Sequence, residues 1–177
     1  VYIGSHDIKL EEGDSCWIIE PFNDRVIVKS GPCSITSPTL CTVIRGYTCG
    51  NKTSDFPNGT NLPYINGCSS EQLLPPVRLG DPTLQMLYIP EYASEQQHHI
   101  HSTARVVYVL EGKGKSFIGM GNEEIVDLNK GDVIILDKMV PHHFETKESH
   151  LIVLPLHVYS SQSNEHNHPM FNGTFKT

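Results

Sequence analysis

The stretch from Gln97 to Gly112 constrains the fold more than any other part of this sequence. It begins with a His-x-His pair, His99 and His101, continues as an apolar and β-branched run, and ends at a Gly-rich turn. Successive side chains of a β-strand point to opposite faces, so His99 and His101 are predicted to project to one side. Two neutral imidazoles on one face are suited to binding Fe, Ni, Cu or Zn.

A further histidine follows a second apolar segment. Residues 131–137 are typical of a buried strand that is entered through a turn, and His142 follows Pro141 at the next strand start. We therefore predict that His142 is the third ligand of a metal held by His99 and His101. Three neutral imidazoles leave open positions on a divalent ion, which is typical of a catalytic rather than a structural site.

These residues resemble the cupin family. Its first motif has the form G-x5-H-x-H-x3,4-E-x6-G and its second the form G-x5-P-x-G-x2-H-x3-N. The positions in register are His99, His101 and Gly112 in the first motif, and Gly131 and His142 in the second. The resemblance covers residues 82–157. It implies an all-β fold, a cupin-type double-stranded β-helix or jelly-roll barrel.

Several motif positions differ from the family pattern. Ala93 replaces the opening glycine, Asp137 and Met139 replace the proline and glycine of the second motif, and Thr146 replaces its asparagine. Arg105 stands where the family usually has a glutamate ligand. A guanidinium stays protonated and offers only donors, so it cannot bind a metal. Two interpretations are open: Arg105 binds a carboxylate or phosphate of the substrate, or it forms a salt bridge or is turned outward by a bulge.

The remaining candidates are weaker. Tyr108 is included as a catalytic candidate, with core packing or pocket lining as the alternative. Residues 95–97 precede the histidine pair and are candidates for a fourth ligand. His98 and His143 have the wrong parity for the metal and are interpreted as surface or packing residues. The His-x-His of residues 166–168 lies in a polar segment and is interpreted as an adventitious binder.

Short β-rich runs separated by turn residues predict a barrel or sandwich. Two of the runs, 105–110 and 115–119, are predicted to form a hairpin through the Gly-rich turn between them. Residues 32–80 are rich in turn-forming residues and are predicted to be long loops with one strand near 43–47. The other predicted strands cover residues 16–20, 25–28, 84–89, 124–128, 133–136, 144–146 and 151–159.

The predicted organisation has three parts. Residues 1–80 form an N-terminal extension of strands and long loops that packs on the barrel. Residues 81–160 form the cupin barrel, and residues 161–177 form a polar C-terminal tail. At 177 residues the chain is long enough for one well-packed domain and short for two.

Composition excludes several classes of function. The net charge is −7 without a basic run, which argues against nucleic-acid binding. No apolar stretch approaches the roughly 20 residues of a membrane helix, and no signal-peptide pattern opens the chain. Five cysteines without a C-x-x-C spacing argue against a disulfide scaffold or a zinc ribbon. A cytoplasmic, reduced setting is expected, and the family resemblance implies a homodimer.

The resemblance implies a metal-dependent enzyme with a small-molecule substrate. Proteins of this kind that hold iron with three histidines are often non-haem Fe(II) dioxygenases. A small carboxylate, thiol or diketone-like substrate anchored by Arg105 is the expectation. A lyase, isomerase or hydrolase using Zn, Ni or Mn is the alternative, and a catalytic Tyr or Glu near the metal would favour it. A non-catalytic ligand-binding cupin is the third alternative.

Overall fold

β-Strands form nearly all of the regular structure. A computed structural model of the chain describes residues 1–4, 6–36, 38–76, 81–96 and 98–158. The helices within this part are two short 3-10 turns, Pro21–Asn23 and Ile65–Gly67. Neither helix is long or apolar enough to span a lipid bilayer. The chain divides into two compact units. Residues 1–56 make up most of the first unit, and residues 57–75 and 82–158 make up the second.

The first unit contains a five-stranded antiparallel sheet and a separate two-stranded pair. The sheet has the order β1-β6-β3-β4-β7, and β2 pairs with β5. The predicted strands at residues 16–20 and 25–28 are confirmed as β3 and β4, which the turn at Pro21–Asn23 connects. The seven strands are Tyr2–Ile3 (β1), Ile8–Leu10 (β2), Ser15–Glu20 (β3), Arg25–Ser30 (β4), Cys33–Ile35 (β5), Leu40–Ile44 (β6) and Lys52–Asp55 (β7).

The second unit is the jelly-roll part of the chain, and it confirms the predicted all-β fold. Its strands follow the order β12-β11-β15-β10-β9-β8, and β13 and β14 also pair with β11. The strands are Leu62–Pro63 (β8), Ser69–Leu74 (β9), Thr83–Ile89 (β10), Arg105–Ile118 (β11), Glu124–Asn129 (β12), Val133–Leu136 (β13), His142–Glu145 (β14) and Leu151–His157 (β15).

The predicted hairpin between residues 105 and 119 is wrong, because β11 is one long strand that continues through the Gly-rich segment. Its first part pairs with β13 and β15, and its last part pairs with β12 and β14. A register shift lies between Val109 and Glu111. Gly112 follows with a φ of 81°, and a Cβ there would lie 1.9 Å from the carbonyl oxygen of His150. The glycine therefore lets the strand bend against its neighbour instead of reversing.

Alternation along the strands builds the interior of the second unit. Val107 and Val109 of β11 pack with side chains of β10, β13, β14 and β15 in one apolar cluster. Arg105 shares their parity and also faces inward, where it lines a cavity. The apolar face of the same strands therefore continues directly into a polar end, which contains the predicted site.

The predicted extension of residues 1–80 is divided between the two units. Strand β9 pairs with β10, and β8 pairs with β9, so residues 57–75 belong to the second unit. Hydrogen bonding between strands distant in sequence decides this membership. The polar tail predicted at residues 161–177 lies outside the described residues.

Three of the cysteines, Cys16, Cys41 and Cys68, are buried thiols. Cys16 and Cys41 pack in the apolar cluster of the first unit, and Cys68 packs in that of the second unit.

Candidate metal centre

The three predicted ligands come together at one end of the second unit. One ring nitrogen from each of His99, His101 and His142 lies within 4.8 Å of the other two. The Nε2 atoms of His99 and His101 are 3.0 Å apart. The ring centroid of His142 lies 4.7 Å from that of His99 and 5.2 Å from that of His101. A single ion is thus within reach of all three side chains.

Backbone hydrogen bonds hold the three histidines in place. His99 and His142 form an antiparallel bridge in which each N–H donates to the other residue's carbonyl, at 3.2 and 3.0 Å. The carbonyl of His101 accepts from the N–H of Met139 at 2.7 Å. His142 begins β14, whereas His99 and His101 lie in the segment that leads to β11. The site is therefore built where two distant parts of the chain pair.

His101 and His142 are in the protonation state that metal binding requires. Burial lowers the pKa of His101 to about 4, and the charge of Arg105 adds to this effect. Burial also lowers the pKa of His142. The Nδ1 of His142 lies 2.8 Å from the carbonyl oxygen of Val140, so the Nδ1–H donates there and leaves Nε2 as a lone-pair donor. Neutral imidazoles are the ligand form, so the donor set fits a divalent metal.

The spacing of the nitrogens fits as well. Two nitrogens that each lie about 2.1 Å from one ion are separated by about 3.0 Å at a right angle and by about 3.4 Å at a tetrahedral angle. The separation of 3.0 Å between the Nε2 atoms of His99 and His101 agrees with these values.

A cavity of about 150 Å³ opens beside the histidines. One side of it is apolar and the other carries titratable and hydrogen-bonding groups. The apolar lining consists of Leu87, Val107, Leu136, Phe144 and Pro155. The polar lining consists of Tyr64, Ser70, Gln85, Glu95, His99, His101, Arg105, His142 and His157. Such a mixture of apolar walls and a few convergent polar groups is typical of a small-molecule site.

Arg105 lies in the cavity with only 8% of its surface exposed. Its Nη1 donates to the hydroxyl of Thr103 and, at 3.5 Å, to the Thr103 carbonyl. Burial lowers the pKa of Arg105 to about 10, against the opposing charge of Glu95. The guanidinium therefore remains charged at neutral pH. This position contradicts the interpretation in which a bulge turns Arg105 outward.

Glu95 is the candidate fourth ligand that the structure places in the cavity. Its carboxylate is outside the group of ligand atoms that lie within 4.8 Å of one another. Burial raises its pKa to about 7, although a backbone hydrogen bond from Phe144 and the charge of Arg105 oppose the shift. Gln96 instead accepts a hydrogen bond from the hydroxyl of Tyr64 at 2.8 Å. Gln97 lies outside the described residues.

Two titratable residues of the cavity, His157 and Tyr64, were not singled out from the sequence. His157 ends β15, its ring centroid lies 6.3 Å from that of His101, and burial lowers its pKa to about 3. Tyr64 lies in the segment after β8. Arg105 and His157 are direct partners in the pairing of β11 with β15. If this register had been known, the position of His157 beside Arg105 could have been predicted from the sequence. No local pattern marks Tyr64.

Tyr108 does not line the cavity. Arg105 and Val107 of β11 face it, so alternation turns Tyr108 to the opposite face of the strand, where it is buried. Its predicted catalytic role has no support from this position.

The histidines of opposite parity form a separate group. His98 and His143 are hydrogen-bonded through their Nδ1 atoms, and His143 stacks on Phe117 with ring centroids 4.8 Å apart. The Nε2 of His143 lies 3.0 Å from a carboxylate oxygen of Glu145. These contacts agree with the prediction of a packing role. The His-x-His of residues 166–168 lies outside the described residues.

A comparison with protein families matches residues 85–159 to the family described as Cupin domain. The matched region contains all three clustered histidines and Arg105. A search among curated proteins found no significant match.

Solved structures with similar folds include three of different description. A cupin 2 conserved barrel domain protein from Rhodopseudomonas palustris is 21% identical, with a TM-score of 0.46 over 51% of this chain and 60% of that chain. The polyketide cyclase RemF from Streptomyces resistomycificus is 19% identical, with a TM-score of 0.47 over 54% and 68%. The DMSP lyase DddQ from Ruegeria pomeroyi is 15% identical, with a TM-score of 0.49 over 59% and 54%. The chain thus spans a little over half to two thirds of these proteins.

Proposed function

Because residues 85–159 form a cupin domain, we propose that this protein is a metal-dependent enzyme that acts on a small anionic substrate. One observation carries the proposal: three histidines that can share one ion border the same cavity as a buried, charged Arg105. A structural metal site would be closed by a fourth protein ligand, whereas here three imidazoles form the cluster among the described residues.

Each group has a separate task in this proposal. His99, His101 and His142 would hold the ion, and the hydrogen bond from His142 to Val140 fixes the ring that presents Nε2. A bound divalent ion would supply Lewis acidity or redox chemistry at its open positions. Arg105 offers a planar fork of donors that matches a carboxylate and holds the substrate in one orientation. The apolar wall limits the access of water to the bound substrate.

The charges of the site support an anionic substrate. None of the three clustered ligands is negative, so a divalent ion would keep its full charge there. Arg105 adds a positive charge, and Glu95 is the acidic residue of the lining. The cavity is therefore positive overall when an ion is bound, and attraction across a poorly hydrated space favours an anion.

Our first proposal for the reaction is a non-haem Fe(II) dioxygenase. The all-histidine cluster supports it, since three-histidine iron sites without a carboxylate are typical of the dioxygenases that the sequence resembles. Small carboxylates, thiols and diketones are the substrates to test. Iron is the favoured metal, and Zn, Ni and Mn are the alternatives.

The second candidate is a non-redox reaction, as in a lyase or isomerase. A specific observation favours it: Glu95 lines the same cavity as the histidine cluster, and its raised pKa suits a group that exchanges protons. Zn, Ni or Mn would serve such a reaction, because it requires polarisation of a carbonyl and no change of oxidation state.

Metal content tests the proposal. We expect protein purified without chelators or added metal to contain about one divalent ion per chain, measured by mass spectrometry. The His99→Ala/His101→Ala variant should lose the ion, and His6→Ala, which removes an exposed histidine of the first unit, should keep it. Far-UV circular dichroism checks that each variant is folded.

The outcomes separate the reaction classes. Iron that disappears in the double variant, together with O2 consumption in the presence of one of the test substrates, supports the dioxygenase. Zinc, nickel or manganese that disappears in the same way, with turnover that does not depend on O2, supports the non-redox class. Metal that stays in the folded double variant would contradict the three-histidine site.

A further inference from the structure

Glu95 is a buried carboxylate on a rigidly held segment. Only 8% of its surface is exposed, and it lines the cavity. Its N–H donates to the carbonyl of Phe144 at 2.9 Å, and the N–H of Ala93 donates to the Thr146 hydroxyl at 3.0 Å. The segment that carries Glu95 therefore runs along β14, the strand that provides His142. A carboxylate placed in this way has a defined position relative to the histidine cluster.

The carboxylate is incompletely satisfied in the protein itself. Its Oε2 atom is buried and has no hydrogen-bond partner among the described residues. The described ion pairs do not include one between Glu95 and Arg105, and Glu95 is outside the compact ligand group. Burying a carboxylate oxygen without a partner costs free energy, so such groups are rare in native proteins unless they have a function.

The other polar groups of the cavity have different roles. The three clustered histidines are the metal ligands of the proposed function, and Arg105 is a permanent donor. His157 is held neutral by burial and by the neighbouring Arg105 charge. The Tyr64 hydroxyl already donates to Gln96. Among the titratable side chains that line the cavity, Glu95 is thus the one with a basic oxygen left for the substrate.

We propose that Glu95 is a catalytic residue that accepts a proton from a C–H bond of a small carboxylate, at a carbon next to a carbonyl group. The proposal rests on the proposed function, because Arg105 must hold the carboxylate. In the step, the C–H bond breaks, the proton moves to Oε2 of Glu95, and the electron pair moves through the adjacent carbon onto the carbonyl oxygen. The product is an enolate, and return of the proton restores both partners.

A site with these groups takes a defined class of substrate. The substrate has an anionic end for Arg105, a carbonyl beside the histidine cluster and an acidic C–H that faces Glu95. A 2-oxo carboxylate contains all three in the fewest atoms, which suits a cavity of about 150 Å³. The raised pKa of Glu95 supports the assignment, since a base with a pKa near neutral transfers protons efficiently in both directions.

Deuterium exchange into pyruvate tests the proposal. The protein is loaded with Zn²⁺, which is redox-inert, and loss of the methyl proton signal of pyruvate in D2O is followed by ¹H NMR. We expect the wild type to accelerate exchange and Glu95→Gln to be about 100-fold slower or more, because the amide cannot take up the proton. Glu95→Asp should recover part of the rate.

Controls separate this role from a structural one. Glu91→Gln removes an exposed carboxylate from the same approach segment and should leave the exchange rate unchanged. Calorimetry should show that Glu95→Gln binds Zn²⁺ and pyruvate with wild-type affinity, because Glu95 belongs to neither the ligand group nor the anion anchor. Arg105→Gln should instead weaken pyruvate binding.

Each outcome decides the proposal. Exchange by Glu95→Gln at the wild-type rate would overturn it, as would a wild type that binds Zn²⁺ and pyruvate but does not accelerate exchange. The proposed function would stand in both cases. A wild type that binds Zn²⁺ but not pyruvate would overturn the substrate class and the role of Glu95. Failure to bind any divalent metal would overturn the proposed function itself.

Discussion

Arg105 occupies the register position at which the cupin motif usually has a glutamate ligand. The exchange replaces a negative ligand by a positive group that cannot bind a metal. The cavity still contains a carboxylate, that of Glu95. Glu95 lies in the segment before the histidine pair, and its carboxylate is outside the cluster formed by His99, His101 and His142. The departure from the motif therefore changes the charge of the site, and in our proposal it separates the metal ligands from the residue that accepts a proton.

Met139 shows that a motif position can keep its backbone conformation without its usual residue. The family has glycine here, and Met139 has a φ of 62°, in the left-handed region. This conformation costs a non-glycine residue about 1–2 kcal/mol. The N–H of Met139 donates to the carbonyl of His101, so the strained turn also fixes a metal ligand.

Asp14 gives the first unit a pH-dependent contribution to its stability. It is buried, and its carboxylate accepts from the N–H groups of Glu11 and Gly46, at 3.0 and 3.3 Å, and from the Arg45 guanidinium. Burial alone would raise the pKa of Asp14, but these hydrogen bonds outweigh it and hold the pKa below 3.8. The stabilisation is present above pH 3.8 and is lost as pH falls through the lower pKa of the folded state.

We predict that Asp14→Asn lowers the free energy of unfolding by about 1–2 kcal/mol at pH 7 and by clearly less near pH 3. Urea unfolding followed by fluorescence of Trp17 measures this, because the single tryptophan of the chain lies in β3 of the same unit. Asp127→Asn, which removes an exposed carboxylate, is the matched control. An equal decrease in the free energy of unfolding at pH 7 and near pH 3 would contradict the proposed dependence of stability on the ionisation of Asp14.

At the scale of elements, β11 determines how the second unit is built. One strand supplies pairing edges for β12, β13, β14 and β15, and its bend at Gly112 changes partners between the two halves. The inward parity of its first half places Arg105 in the cavity and Val107 and Val109 in the core. The position of Arg105 in the cavity therefore depends on the register that this bend preserves.

We predict that Gly112→Ala destabilises the second unit by about 3 kcal/mol or more. The alanine would have to adopt a left-handed backbone conformation, and its Cβ would collide with the carbonyl oxygen of His150. Urea unfolding followed by far-UV circular dichroism measures the change. Gly59→Ala is the control, because a Cβ at Gly59 meets nothing within 4 Å, and its effect should stay within about 0.5 kcal/mol. If the two variants had similar free energies of unfolding, the close approach of Gly112 to the carbonyl of His150 would be contradicted.

At the scale of the whole molecule, the sheet of the second unit ends in β12 on one side and β8 on the other. Such edges leave backbone donors and acceptors for another strand. β12 also carries Ile125, of which 53% is exposed. We propose that the protein is a homodimer, as the resemblance to cupins implies, and that β12 contributes to the contact.

The predicted mass in light scattering is then twice the chain mass of 19.8 kDa. Ile125→Lys should shift the protein toward the monomer, whereas Ile135→Lys, which also replaces an exposed isoleucine of the second unit, should leave the mass unchanged. A wild-type mass of 19.8 kDa at all concentrations would contradict the proposal.

Local sequence patterns were sufficient to predict the strands with clear alternation and the three histidines that come together. Residues 16–20 and 84–89 alternate or are β-branched, and side-chain period and turn chemistry are local properties that a linear sequence contains. His99 and His101 could be paired because their spacing alone sets their parity. His142 followed from the second motif at its own fixed spacing.

The pairing of distant segments could not be predicted in the same way, since hydrogen bonding between strands depends on register and not on local pattern. The folded chain settles it. It made β11 one bent strand instead of a hairpin and turned Tyr108 away from the cavity. It brought residues 57–75 into the second unit. The same pairing placed Glu95 and His157 beside the histidines, because their chemistry depends on neighbours that lie far away in the sequence.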